Sequence, residues 1–376
     1  MIHIQRIAFF ILGSLMVTHT SLGQSQKLDP YIALGVHMDS SIYEHDYHSL
    51  SPLLDYNVFS RKALHYFKVS EEEALAFEEE LREQISMEDI LGVLVEDDGR
   101  YEFVKVLDKA NGEKSLLFRQ VYSDGWLNYQ EYLLHTIGDK LLIKDIYSYE
   151  SGSYLSDRIG TSYLTEDIYP VRSGYVQQYH ALADSIFYYN QMTAFKESWR
   201  VYQTLPRYYK DKESYLLSAI IALSAIEVDK EIPLLQRYQD KYPQSPGVHL
   251  VMTDVYKARG LMDAAIKELE ILEEYIGGDA FLMYKKAECY ATKGDLKKAE
   301  KLCKVIIEEK NEMTEAELLL LDCYYLRGKH KFFLENLLVL AEKLSVEPEV
   351  LCPPEDYPVF FSSDIWQEWL KRTKNG

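Results

Sequence analysis

A carboxylate works as an acid or a base when its surroundings move its pKa, and one aspartate of this chain is placed for that. The run Lys140-Leu-Leu-Ile-Lys-Asp145-Ile-Tyr-Ser-Tyr149 reads as a strand, and strict alternation puts Asp145 on one face with Leu141, Ile143, Tyr147 and Tyr149. Apolar neighbours raise a carboxylate's pKa and fit it for acid–base work in a pocket. The same aspartate is purely structural if a tyrosine hydroxyl or a backbone amide donates to it. Spacing assigns it no His, Ser or Cys partner.

Metal-ligand types gather in His37, Asp39, Glu44, His45, Asp46 and His48. Their spacings match no helix or loop metal site, and His45 and His48 chelate together only if they share a helix. A polar loop between helices is the expectation, with no metal and no cofactor.

The strongest regularity lies further on. Asp254-Val-Tyr256-x-x-x-Gly260, Glu288-Cys-Tyr290-x-x-x-Gly294 and Asp322-Cys-Tyr324-x-x-x-Gly328 repeat one phrase at a spacing of 34 residues. A fixed period of this length marks stacked helical hairpins, which present binding surfaces. Glycine ends each first helix because it adopts positive φ cheaply.

The unit resembles the tetratricopeptide repeat. With glycine at position 15 the frames are 246–279, 280–313 and 314–347; 212–245 fits fairly and 178–211 loosely, with Tyr188 at position 11. Tyr256, Tyr290 and Tyr324 fall at position 11, Ala265 and Ala299 at the small position 20, and Pro243 at position 32. The family's tryptophan at position 4 is replaced by Tyr215, His249, Met283 and Glu317. Phe333 replaces the small residue of the last frame, so that hairpin is expected to splay or repack.

The resemblance implies a concave surface lined by the first helices. Position 5 is then Leu250, Tyr284 and Leu318; position 9 is Asp254, Glu288 and Asp322; position 12 is Lys257, Ala291 and Tyr325. The expected partner-binding residues are Leu250, Asp254, Lys257, Tyr284, Glu288, Leu318, Asp322 and Tyr325. A line of three acids suits a basic or apolar peptide segment and repels a C-terminal carboxylate, unless these acids are merely the solvated faces of helices.

The frame also bears on the four cysteines. Cys289 and Cys323 occupy one position in successive repeats, so their helices stand about 10 Å apart, beyond disulfide reach. Cys289 and Cys303 sit at different levels of antiparallel helices. Buried thiols are expected, with Cys352 unplaced.

Other elements must position these residues. Residues 1–23 read as an export signal, with Arg6, an apolar core from Ile7 to Val17, and Ser21-Leu22-Gly23 before the cut. The apolar run is short for a bilayer, and without a following cysteine a lipoprotein is not expected. The chain is then exported, periplasmic or secreted, with no stable membrane span after cleavage. Ser70 and Glu73 form a capping box opening a helix to about Gln84. Asn111-Gly112, Asp124-Gly125 and Gly138-Asp139 mark turns between four strands near 100–108, 114–122, 126–136 and 140–149. The closing phrase 140–149, with Gly152 and Ser156, resembles the last strand of cystatin-like or NTF2-like domains. Residues 151–173 lack periodicity and read as a linker.

The expected organisation is an α+β domain at 24–150, with helices and a four-stranded antiparallel meander, then an all-α solenoid at 174–347. Residues 348–376 form a cap, in which Ile365, Trp366, Trp369 and Leu370 make an apolar stripe. The formal net charge is −19, one more negative without Arg6, which argues against docking on nucleic acid or anionic lipid by charge. Thirty-one tyrosines either stack on ligands or fill a core with bonded hydroxyls. Three functions follow: a non-enzymatic protein-interaction scaffold using the concave face, a small-molecule or glycan binder using the sheet, or an enzyme using Asp145.

Overall fold

The computed structural model describes residues 28–65, 69–88, 90–91, 99–122, 125–165, 182–183, 185–190, 192–227, 230–243, 245–309 and 313–374. The export signal and residues 166–173 of the expected linker lie outside them. Two compact units divide the chain, one at Gly23–Met252 and the other at Thr253–Gly376. Among the described residues no helix is long and apolar enough to cross a membrane.

The first unit opens with α1 (Pro30–Tyr43), started by Asp29, whose carboxylate accepts from Tyr31 N at 2.8 Å, and by Pro30 in the first turn. A 3-10 turn at Tyr47–Leu53 leads to α2 (Tyr56–Ala63) and α3 (Glu71–Gln84). The capping box of α3 is present: Glu73 N donates to Ser70 Oγ at 3.2 Å and Ser70 N to Glu73 Oε2 at 2.6 Å.

An antiparallel sheet follows, in the order β1 (Arg100–Asp108), β2 (Lys114–Val121), β3 (Leu127–Ile137), β4 (Lys140–Ser148) and β5 (Ser153–Tyr154). The turns fall at the Gly112, Gly125 and Gly138 signals, each glycine at positive φ. Leu116, Phe118, Tyr132, Leu134, Ile143 and Ile146 meet Met38, Leu50, Phe59, Phe77 and Leu81 of the preceding segments in one core.

Two expectations are corrected here. The sheet has a fifth strand, and α4 (Leu155–Thr165) follows it at once, so residues 153–165 are ordered elements and not linker. A Cβ at Gly160 would stand 2.1 Å from the Ala63 carbonyl oxygen, so glycine lets α4 lie directly on the end of α2. Gly160 there serves close packing and Ser156 a hydrogen bond to Asp145, roles that composition alone does not distinguish from a loop.

Helices α5 (Phe195–Thr204), α6 (Glu213–Ile226) and α7 (Ile232–Lys241) belong to the same compact unit as the sheet. Glu213 Oε1 accepts from Tyr147 OH of β4 at 2.7 Å and from Tyr238 OH of α7 at 2.8 Å. Burial and the Glu213 charge push both phenols up. This shared carboxylate joins sheet to helices, and the boundary of the unit falls beyond them, inside α8 (Gly247–Ala258).

In the second unit, α9 (Met262–Ile276) is followed by the hairpins α10 (Ala280–Lys293)–α11 (Leu296–Glu309) and α12 (Thr314–Leu326)–α13 (His330–Leu344). Gly260, Gly294 and Gly328 turn the chain at φ of 73°, 89° and 65°. Open space surrounds all three, so the left-handed backbone and not crowding selects glycine. Ala265 and Ala299 are buried where the second helices cross. Glu300 of α11 gathers Lys304, Arg327 and Lys329, tying one hairpin to the turn of the next.

Phe333 is fully buried against Tyr325, Tyr357 and Phe360, so the last hairpin is repacked around a ring. Short turns at Pro348–Leu351 and Pro358–Phe361 precede α14 (Asp364–Lys374). Of the expected apolar stripe, Trp366 is buried, Trp369 and Leu370 are half-buried or more open, and Ile365 is exposed.

Candidate partner-binding surface

The expected groove residues divide sharply by burial. Leu250 and Tyr284 are buried and belong to packing, which corrects their expected place facing a ligand. Asp254, Lys257, Glu288, Leu318, Asp322 and Tyr325 are half-buried, as residues at the base of a helical surface are.

None of the three acids is free, which corrects the picture of an uncompensated acidic line. Lys257 Nζ reaches Glu288 Oε2 at 3.2 Å, so position 12 of one repeat serves position 9 of the next. Lys285 stands 3.5 Å from the same oxygen, and Tyr284 OH donates to Glu288 Oε1 at 3.1 Å. Burial alone would raise the Glu288 carboxyl, but Lys285 and Lys257 outweigh it and hold the group below its ordinary value. Burial likewise works against the charge of Lys257, and Glu288 and Asp254 raise it.

One repeat further on, position 12 is Ala291, and no lysine comes to Asp322 from there. Instead Tyr357 OH donates to Asp322 Oδ1 at 2.6 Å. The Tyr357 ring meets Tyr325 edge-on at 5.0 Å and Phe333 at 5.4 Å. Burial raises the Asp322 carboxyl, with the phenol bond working the other way. Two expected partner-binding residues are thus already engaged by Tyr357 of the chain itself, Asp322 by its hydroxyl and Tyr325 by its ring. Tyr357 lies outside every repeat frame, and no spacing in the sequence announces it. Lys285 was readable, since it stands three residues before Glu288 on one helix.

The other candidates resolve into structure. A bulge at Lys144 pairs Leu133 with Asp145 but Leu134 with Ile143, reversing the parity of β4. Leu141 and Ile143 therefore face the helices, while Asp145, Tyr147 and Tyr149 face the opposite side, a correction to the expected grouping. Asp145 is fully buried and accepts from Lys62 Nζ at 2.8 Å, Ser156 Oγ at 2.7 Å, Ile146 N at 2.9 Å and Ser156 N at 3.2 Å. Four donors saturate it, and it anchors α2 and α4 to the sheet where catalysis was one expectation.

On the same face Glu131, buried, pairs with Lys109 and accepts from Ser115 Oγ at 2.7 Å. Asp39 accepts from Phe103 N at 2.9 Å and Asp46 from Ser49 N at 3.3 Å. Helix α1 ends at Tyr43, so His45, at positive φ, and His48 share no helix.

All four cysteines are buried free thiols, Cys352 included. Burial pushes Cys289 up to about 11 and Cys323 and Cys352 up to about 12. Several tyrosine hydroxyls donate inside the fold: Tyr56 to Ile85 O, Tyr202 to Lys210 O and Tyr242 to Asp211 O.

No family model matches the chain, and no curated protein matches it. Among solved structures the chain is similar to the crystal structure of MamA protein, at 17% identity and a TM-score of 0.37, over 44% of this chain and 89% of that one. A likeness this slight carries no functional argument.

Proposed function

We propose that the chain is a non-enzymatic scaffold that takes a protein segment along the first helices of its hairpin array, at Asp254, Lys257, Glu288, Leu318, Asp322 and Tyr325. The observation that carries the reading is the recurrence of half-buried polar residues at one helical position in α8, α10 and α12. A surface kept polar yet shielded, on repeats that stack, is how solenoids hold extended partners. An apolar segment with basic side chains suits it, because the groove pairs Leu318 and Tyr325 with carboxylates in a chain of net charge −19. If residues 1–23 direct export, the partner is an envelope or secreted protein.

The sheet supports the alternatives less well. Its helix-facing side is filled by Leu116, Phe118, Tyr132 and Ile143, all fully buried, and Asp145 is saturated. The test is capture of a partner from envelope extract, followed by titration of that purified partner against the parent chain and a folded Leu318→Arg variant. Weakening by about tenfold or more, roughly 1.4 kcal/mol, supports the groove. Equal affinities would remove it.

A further inference from the structure

Away from the first helices, a surface cavity of about 410 Å³ lies between the end of α13 and the cap helix α14. Leu338, Ala341 and Pro348 supply its apolar wall, Glu342 and Glu347 its charge, and Trp369 an aromatic side. We propose that this cavity seats a lysine or arginine side chain of a partner protein.

Four independent features of the site favour a cation. Trp369 stacks on the buried Trp366 at 4.6 Å and 29°, which fixes its ring in place, and indole offers the best face for a cation. Two carboxylates flank the cavity, and among the described residues neither has an ion-pair partner. The neighbouring Lys343 is turned to Glu317 instead, at 2.9 Å. Helix α13 ends here: Ser345 at φ 55° breaks it and bonds back to Glu342 O, so the negative end of a long helix points at the site. The apolar wall matches the methylene stem that carries an ammonium or guanidinium group.

A divalent metal fits poorly, because it requires about six oxygen ligands and the cavity offers two carboxylates beside an indole. A neutral apolar ligand would leave the charge of both carboxylates without a counterpart. The source of the side chain, a partner protein, rests on the scaffold reading; the chemistry of the cavity does not.

The test uses the full chain labelled with 5-fluorotryptophan, whose Trp369 resonance is assigned by its loss in Trp369→Phe. N-acetyl-arginine amide is titrated in, beside N-acetyl-glutamate amide as the anionic control. The expected result is a saturable shift of the Trp369 resonance with the arginine probe alone. Glu342→Gln with Glu347→Gln, isosteric changes at exposed positions, should weaken it about tenfold, and added salt should weaken it in the parent. No saturable shift up to about 50 mM, where affinity is below what a charged cavity should give, would overturn the proposal. So would an equal shift in the double variant, or with the anionic probe. Because the probe needs no partner, failure here leaves the groove standing, and failure of Leu318→Arg to weaken a partner leaves this titration untouched.

Discussion

Replacing Tyr357 by Phe removes one hydroxyl at the end of the hairpin array, together with its bond to Asp322 and its weaker one to the Cys352 thiol. The ring keeps its packing against Tyr325 and Phe333, and only the hydroxyl that donates to Asp322 Oδ1 at 2.6 Å is lost. A bond to a charged acceptor contributes about 1.5–3 kcal/mol, and half-burial of Asp322 places it in the lower part of that range, about 1.5–2 kcal/mol. At a typical slope this lowers the urea midpoint by about 1 M, read by fluorescence of the Trp366–Trp369 pair in the cap.

The pH dependence follows from the raised Asp322 carboxyl. A group whose pKa is higher folded than unfolded contributes stability at low pH that fades as pH rises through the folded value. The ionised form is the one that needs the phenol. The cost of Tyr357→Phe should therefore be full at neutral pH and shrink as acid protonates Asp322. A loss below about 0.3 kcal/mol at pH 7, or a loss that does not change on acidification, would refute the assignment of this bond as the support of a half-buried charge.

Further outcomes follow from other contacts. Lys62→Met should cost about 3 kcal/mol in urea unfolding, because it strips the cation from the fully buried Asp145. Gly294→Ala should cost about 1–2 kcal/mol by the same assay, since φ of 89° is costly for any residue with a Cβ. The four cysteines should resist a thiol reagent at pH 8 in the folded chain and react fully in denaturant, because all are buried and Cys289, Cys323 and Cys352 are raised by that burial.

Local signals were legible wherever one residue type fixes the backbone. The Asn-Gly, Asp-Gly and Gly-Asp turns placed four strands within a residue or two, and the glycines 34 apart placed the hairpins. Parity was less accessible. The extra residue at Lys144 leaves no mark on hydropathy, yet it moves Asp145 to the other face of the sheet. The helix at 155–165 was hidden because its Gly160, read as a loop former, is there to let backbones touch, and its Ser156 to bond Asp145.

At the candidate site the individual residues were legible and their neutralisation was not. Lys257 and Glu288 meet across a repeat boundary, and Tyr357 comes from outside the period altogether. A helical wheel shows which face a charge is on; the neighbouring chain decides whether it stays unpaired.

Site-specific photocrosslinking tests the central claim most directly. A benzophenone amino acid at Leu318, on the proposed binding face, is compared with one at Ile271, exposed on the second helix α9. The scaffold account predicts one partner protein crosslinked in cell extract from position 318, competed by an excess of unlabelled parent chain, and none from 271. Crosslinks to the same protein from position 271 and none from 318 would contradict it, and would put the partner on the outer helices instead.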